Sequence, residues 1–460
     1  EGSSVIVAYN GSGRAPAAAQ LSTYSQLGIS TIERHSPHAV TIPGAVDAWD
    51  RLLKDHGRMD LGEVLLPAID FAQNGFPISS RVHADYAANV DFLRKDATSA
   101  SHFLADGNCP PVGSVHRLPQ LAEALKSIAR NGRDEFYSGW IAQDMVEYLQ
   151  GLGGLHRAED FSTAAGEYVK PISTGFRGKT VFECPPNGQG AIALLLLNMM
   201  QQMDIDPSGP LTVDRIHCEI EACRLAYAAR NHLLGDPAFA NVPIDVLLSD
   251  AYARNLCNAI DPERANLPTE ASILPPHSDT VYITVVDKDR NACSFINSIF
   301  NPFGSGLTAP KSGVLLQNRG QAFSLEEGHP NCIAPGKRPM HTIIPSMVTR
   351  NGRAALSFGV MGGQYQAFGQ MQFLTRHLDF GLDLQETMDL PRFMADPFSG
   401  EVEMESALGD DIRQELMRRG HQIKTPMMPI GGSQAIAIDW SNNVLTGASD
   451  HRKDGCAIGY

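Results

Sequence analysis

LPTEASILPPHSDTVYITVVDKDRNACSFINSI (267–299) is the stretch where the chain changes character. Its first thirteen residues, 267–279, hold three prolines and cannot continue a helix, so they read as an exposed loop. From Thr280 onward β-branched residues alternate with others: TVYITVVD, the polar turn KDRN and ACSFINSI spell a hairpin. Two more hairpins follow. IIPSMVTRNGRAALSFGV (343–360) turns at Asn351-Gly352, and SQAIAIDWSNNVLTGAS (433–449) turns around Asn442-Asn443. Upstream of the loop, apolar residues recur at three and four in VDAWDRLLKDHG (46–57), LGEVLLPAIDFAQNG (61–75) and VDRIHCEIEACRLAYAARNHLL (213–234). The first 266 residues therefore read as mainly helical and the remainder as a sheet, an α+β composition.

The chain has 460 residues, 43% hydrophobic and 19% charged, a globular balance. A formal charge of -14 repels phosphate backbones and anionic membrane surfaces, so nucleic acid is not an expected partner. The longest apolar run, Ala191 to Leu197, falls far short of the roughly 20 residues that span a bilayer. The eight cysteines form no CxxC pair, which argues against structural zinc, and no metal or cofactor is expected. Cys218 and Cys223, five apart on a helix, do not share a face, and buried thiols are the expected state. GSSVIVAYNGSG directly after Glu1 reads as the middle of a β-rich fold rather than a natural start, so a missing N-terminus is expected. Cytoplasmic and periplasmic placements both stay open.

Thr280 stands at the loop-to-strand junction. A threonine hydroxyl is a weak nucleophile unless a base takes its proton, and an N-terminal threonine carries that base in its own α-amine, which titrates at about 7.7–8.0. Cleavage of the Asp279–Thr280 bond would create it. In SFGVMGGQYQAFGQMQFLTRHL (357–378) a strand, a Gly-Gly turn and a helix follow one another, so Gly362 and Gly363 bring backbone N–H groups and the positive end of a helix to one place. Taken singly, a threonine opening a strand is usually a strand residue, and Gly-Gly is usually a plain turn. PPNGQG (185–190) lacks the Gly and Lys spacing of a phosphate loop and reads as the entry to a buried helix. Neither GxSxG nor HExxH occurs, which leaves serine hydrolases and zinc proteases without a foothold.

Longer stretches weigh more. VTIPGAVDAWDRLLKDHGRMDLGEVLLPAIDFAQNGFPIS (40–79), FYSGWIAQDMVEYLQGLGGLHRAEDFS (136–162), PPNGQG, IEACRLAYAARNHLLGDPAFANVPIDVLLSDAY (220–252), TVYITVVDKDRNACSF (280–295), FGSGL (303–307), SGVLLQN (312–318), GKRPMHTIIPSMV (336–348), GGQ (362–364), PRF (391–393), GGSQAIAIDW (431–440) and SDHRKDG (449–455) run in this order. Together they resemble the γ-glutamyltransferase family of N-terminal-nucleophile hydrolases, from about Asn10 to Tyr460. The resemblance implies a four-layer αββα sandwich forming one structural domain, and autoproteolysis into a large portion (1–279) and a small portion (280–460). It also implies Thr280 as nucleophile, attacking the Asp279 carbonyl in the precursor, and Gly362 and Gly363 as oxyanion donors.

The resemblance breaks where the family holds the head of a γ-glutamyl group. The place of its arginine falls on Ser12, with Arg14 two positions on; that of its asparagine falls on Phe300; that of its acidic residue falls on Ala322; and its serine pair is His341-Thr342. Arg319 replaces a neutral amide. An ammonium would lack its counter-charge in such a pocket, whereas a small acidic acyl group could meet Arg319 and His341. This pattern is similar to the branch containing oxamate amidohydrolase and cephalosporin acylase-like enzymes, and oxamate suits the altered charges. Of the other histidines near the motifs, His277 and His451 read as structural. Three functions follow as alternatives: an amide hydrolase for a small acidic acyl group; a γ-glutamyl hydrolase or transferase acting on glutathione, with Arg14 as carboxylate clamp; and an uncut, inactive binding protein. The partners implied are a small-molecule amide and the two portions of one precursor, with homo-oligomerisation left open.

Overall fold

The structure is a computed structural model that describes residues 5–204, 207–267, 280–396 and 399–460. The Pro-rich loop, with Asp279 and His277, lies outside the described residues. The chain is mixed α/β and divides into two compact units, each drawing residues from both sides of the Asp279–Thr280 bond: one holds 169–298 and 340–460 with the first eight residues, the other 9–168 and 299–339.

The first unit is built on a six-stranded antiparallel sheet, in the order Val444–Ser449, Gly432–Asp439, Arg353–Met361, Ser346–Arg350, Lys179–Glu183 and Ile172–Phe176. Its hairpin turns lie where the sequence puts them. Asn351 (φ 52°) and Gly352 (φ 75°) are both left-handed, the conformation whose twist matches that of the flanking strands. Ile172–Phe176 and Lys179–Glu183 come from the part read as mainly helical and complete the sheet. One face is covered by helices, including Gly190–Gln202 and Tyr365–Phe380. Gly190–Gln202 is apolar all round and buried from Gly190 to Met200, as a helix with neighbours on every side must be.

The other face carries the hairpin Val281–Val286/Ala292–Asn297. Thr284 Oγ1 bonds Ser357 Oγ at 2.7 Å, and the Tyr282 ring lies so close to Gly359 that a Cβ there would sit 2.3 Å from ring carbon Cε2. Only glycine permits that approach, and it fixes the strand that directly follows Thr280 against the strand that ends at the Gly-Gly turn. Within this unit a helical layer, a sheet and a second β-layer stack in order.

The second unit is mainly helical. Leu61–Asn74 opens with a capping box between Asp60 and Glu63, and it packs with Ala45–His56, Pro119–Asn131 and Trp140–Gly151 around Ile42, Leu65, Ile128, Tyr137, Met145 and Leu316. No helix among the described residues is long and apolar enough to cross a membrane. All eight cysteines are free, but the expectation of buried thiols needs correction: only Cys223 is fully buried, while Cys293, on the outer face of the hairpin, and Cys456, near the chain end, are exposed.

Glu183 ends its strand inside the core, 2% exposed, with neither oxygen in a well-formed hydrogen bond. Burial pushes its carboxyl well above the ordinary 4.5, against smaller opposing effects from the Ser346 hydroxyl and the Gln370 amide. The folded chain therefore holds a proton that the unfolded chain releases, and stability falls as pH rises above about 4.5. Glu183→Gln should remove this dependence. Its stability advantage over the parent should grow by about 1.4 kcal/mol per pH unit through that window, read from denaturant melts at successive pH values.

Candidate active site

Thr280 is buried, 5% exposed, at the base of the hairpin. Because Val281 pairs with Asn297, Ser298 falls opposite Thr280, and the two hydroxyl oxygens, Thr280 Oγ1 and Ser298 Oγ, lie 3.3 Å apart. The Gln366 carboxamide lies 3.4 Å from the same Oγ1. The hydrogen-bond network orients its NH2 toward the carbonyls of Thr342 (2.7 Å) and Val360 (3.3 Å), which turns its oxygen to the threonine hydroxyl as an acceptor. The hydroxyl is thus held from two sides, by a neighbouring hydroxyl and by an amide on the first turn of helix Tyr365–Phe380.

That helix starts just beyond Gly362 (φ 122°) and Gly363 (φ 56°), whose backbone no side chain adopts readily, and a Cβ on Gly362 would press on Gly431 Cα at 2.7 Å. The carbonyls of Gly362 and Gly363 accept from Tyr365 N (3.0 Å) and Gln366 N (3.2 Å), starting the helical ladder. The turn is backed by Gln189, whose Nε2 reaches the carbonyls of Thr342 (3.3 Å) and Gly363 (3.4 Å). His341 is buried beside it: His341 N donates to Asn187 O and His341 O accepts from Gln189 N, both at 3.1 Å, and the ring lies against Gly188. Thr280, Gly362, Gly363, His341 and Thr342 therefore all belong to the first unit.

Ser12, Arg14, Phe300, Arg319 and Ala322 belong to the second. Arg319 is buried, 4% exposed, its guanidinium over the Phe300 ring at 5.3 Å, and burial pulls its pKa down to about 10, so it stays charged near neutrality. Phe300 has φ 80°, a strained conformation for an aromatic residue. Ala322 closes the same short turn, its carbonyl accepting from Asn331 Nδ2 at 2.6 Å. Ser12 N and Oγ bond Asn10 Oδ1, and Ser12 O accepts from Arg338 Nε at 2.9 Å. Arg14 is turned to the Gly336 carbonyl (3.1 Å) and to Glu167 (3.3 Å). His451 meets Asp389 at 2.9 Å on the surface.

Among the described residues one buried group has the donor set of a metal site: His217, Glu221 and His421. Its atoms are engaged with one another and with protein. His217 Nδ1 and His421 Nε2 share a 2.8 Å hydrogen bond, His217 Nε2 bonds Asp261 O, and Glu221 Oε1 accepts from Arg224 at 2.6 Å. The adjacent guanidinium further opposes a second cation there.

A Gamma-glutamyltranspeptidase family model matches residues 2–460. The chain belongs to the γ-glutamyltranspeptidase family. Among curated relatives, the glutathione hydrolase-like YwrD proenzyme of Bacillus subtilis is 37% identical over 99% of this chain and 87% of its own length. The oxamate amidohydrolase proenzyme of Klebsiella pneumoniae is 30% identical over the same shares. Among solved structures, the cephalosporin acylase from Bacillus halodurans superposes with a TM-score of 0.92 at 35% identity, covering 100% of this chain and 86% of that one. As a γ-glutamyltranspeptidase-family member the protein is a hydrolase, of the N-terminal-nucleophile amidohydrolase or acyltransferase kind.

Sequence reading singled out Thr280 and both glycines but not Ser298, Gln366 or Gln189. Ser298 was within reach, since the turn length of the first hairpin sets the register that puts it opposite Thr280. Ser298→Ala should slow hydroxyl chemistry by about three- to tenfold, the worth of one neutral hydrogen bond. Time courses of fragment appearance and of amide turnover both read it.

Proposed function

We propose that the precursor cuts itself between Asp279 and Thr280 and that Thr280 then serves as an N-terminal nucleophile. The observation that carries this reading is the Thr280 hydroxyl, buried and held by Ser298 and Gln366, on a strand packed against the one that leads into the Gly362-Gly363 turn. In the precursor, Thr280 Oγ attacks the Asp279 carbonyl; the acyl group moves from nitrogen to oxygen, and water hydrolyses the ester. The freed α-amine then accepts the hydroxyl proton as Oγ attacks a substrate amide, with Gly362 and Gly363 donating to the oxyanion. The amine product departs with the proton, and water releases the acyl group. The helix, sheet and hairpin layers of the first unit, with the 0.92 TM-score to an acylase, support a four-layer αββα sandwich as the full architecture.

The acyl group we assign is small and acidic, with a carboxylate and no ammonium, oxamate being the first candidate. Support comes from the buried, charged Arg319 on Phe300, from Ala322 and Ser12 where the family has polar holders, and from the relative named oxamate amidohydrolase. Glutathione is the second reading, carried by the name of the Bacillus subtilis relative. It needs Arg14 to leave Glu167. A panel of oxamate, glutaryl and γ-glutamyl amides, followed by ammonia or amine release, separates the two. Oxamate should turn over well ahead of γ-glutamyl-p-nitroanilide, and the reverse order would overturn the substrate assignment. Arg319→Ala should raise KM for acidic acyl groups by about 10- to 100-fold, the worth of a charged hydrogen bond, while sparing self-cleavage.

A further inference from the structure

Arg230, on helix Val213–Leu233, is 0% exposed, and no Asp or Glu among the described residues forms an ion pair with it. Its partners are neutral. Nη1 donates to Gln189 Oε1 at 2.9 Å and to Gln364 Oε1; Nε and Nη2 donate to Asn231 Oδ1 at 3.2 and 3.1 Å; and the guanidinium lies over the Tyr227 ring at 4.3 Å. Three of these four partners, Gln189, Gln364 and Tyr227, lead to the Gly-Gly turn. Gln364 is the residue after Gly363, Gln189 Nε2 holds the Gly363 carbonyl, and the Tyr227 hydroxyl donates to the Gln364 carbonyl.

A fully desolvated cation costs a great deal unless something negative offsets it, and amide dipoles do so only in part. Burial draws the Arg230 pKa down to about 10, which leaves it charged at neutral pH. The negative charge missing from the resting site is the one that forms during acyl transfer.

We infer that Arg230 is a positioning residue for the oxyanion site: through Gln364 and Gln189 it fixes the Gly362-Gly363 turn, and its buried charge stabilises the oxyanion as it develops. This rests on the proposed roles of Thr280 and the two glycines. The field is in place before the reaction begins, so the charge costs no reorganisation when the carbonyl is attacked. Such an interaction acts on the transition state and not on ground-state binding, so it lowers kcat and leaves KM alone when lost.

Three variants test it on the amide the parent turns over fastest. Gln364→Glu sets a carboxylate against Arg230 with little change of shape, at a helix N-terminus where an acid stabilises. It should lower kcat by roughly tenfold or more, with KM within about twofold and no loss of thermal stability. Arg230→Met should lose at least as much, whereas Arg230→Lys, keeping the charge, should retain more activity than Arg230→Met. If Gln364→Glu keeps the parent's kcat, or if Arg230→Lys and Arg230→Met fall together in step with lost thermal stability, the charge has no catalytic part and the inference is overturned. Should Arg230→Met not fold, Gln364→Glu decides alone. A parent that cuts itself and releases no amine from any amide in the panel would overturn the substrate reading and this inference together; a parent that does neither would overturn the assignment of Thr280.

Discussion

Thr280→Ala should accumulate as one uncut chain and should lose amide turnover by about 10⁴-fold or more. In the proposed mechanism, removing Oγ deletes the atom that attacks in both reactions, and its neighbours cannot replace it. Ser298 sits one strand across with its own hydroxyl 3.3 Å away, but it lies in mid-chain and gains no α-amine from any cut before residue 280. Gln366 offers an amide. The methyl-for-hydroxyl change at a buried strand end should cost the fold about 1 kcal/mol, so the variant should remain folded. Thermal melts and electrophoresis of the same preparation check both statements.

Gly363→Val should lower kcat by about 10²–10³, the cost of removing the oxyanion donor proposed there, with smaller change in KM. Gly363 holds φ 56° between strand and helix, and a β-branched residue resists that conformation. To relieve the strain the peptide would rotate and carry its N–H away from the site. The carbonyl of Gly363 would move as well, breaking the contacts with Gln189 Nε2 and with Gln366 N that anchor the helix start. Circular dichroism should show the sheet and helices retained, since the change is local to the turn.

The hairpins and the long helices were legible because their signals are local. Asn351-Gly352 sits where two left-handed residues are needed, and the capping residues of Leu61–Asn74 lie within four positions of each other. The strands Ile172–Phe176 and Lys179–Glu183 lie inside a stretch that reads as helical: Lys179–Glu183 joins the sheet by pairing with Ser346–Arg350, more than 160 positions away, and Ile172–Phe176 joins it only through Lys179–Glu183. The interleaving of the two units is also long-range, as both draw on either side of residue 280. Of the proposed site, Thr280, Gly362 and Gly363 stand at a loop junction and a turn, features that are ordinary when taken singly, and it is the family resemblance of the long stretches around them that marks them as candidates. Arg230 could not be singled out: in LAYAARNHLL it reads as an ordinary helical cation, and its isolation from carboxylates exists only in the packed structure.

The self-cleavage claim is tested most directly by intact mass and N-terminal sequencing of the purified protein after incubation. Two fragments, residues 1–279 and 280–460, with Thr280 as the first residue of the smaller, are the expected result. A chain that stays whole and still hydrolyses amides at full rate would contradict it.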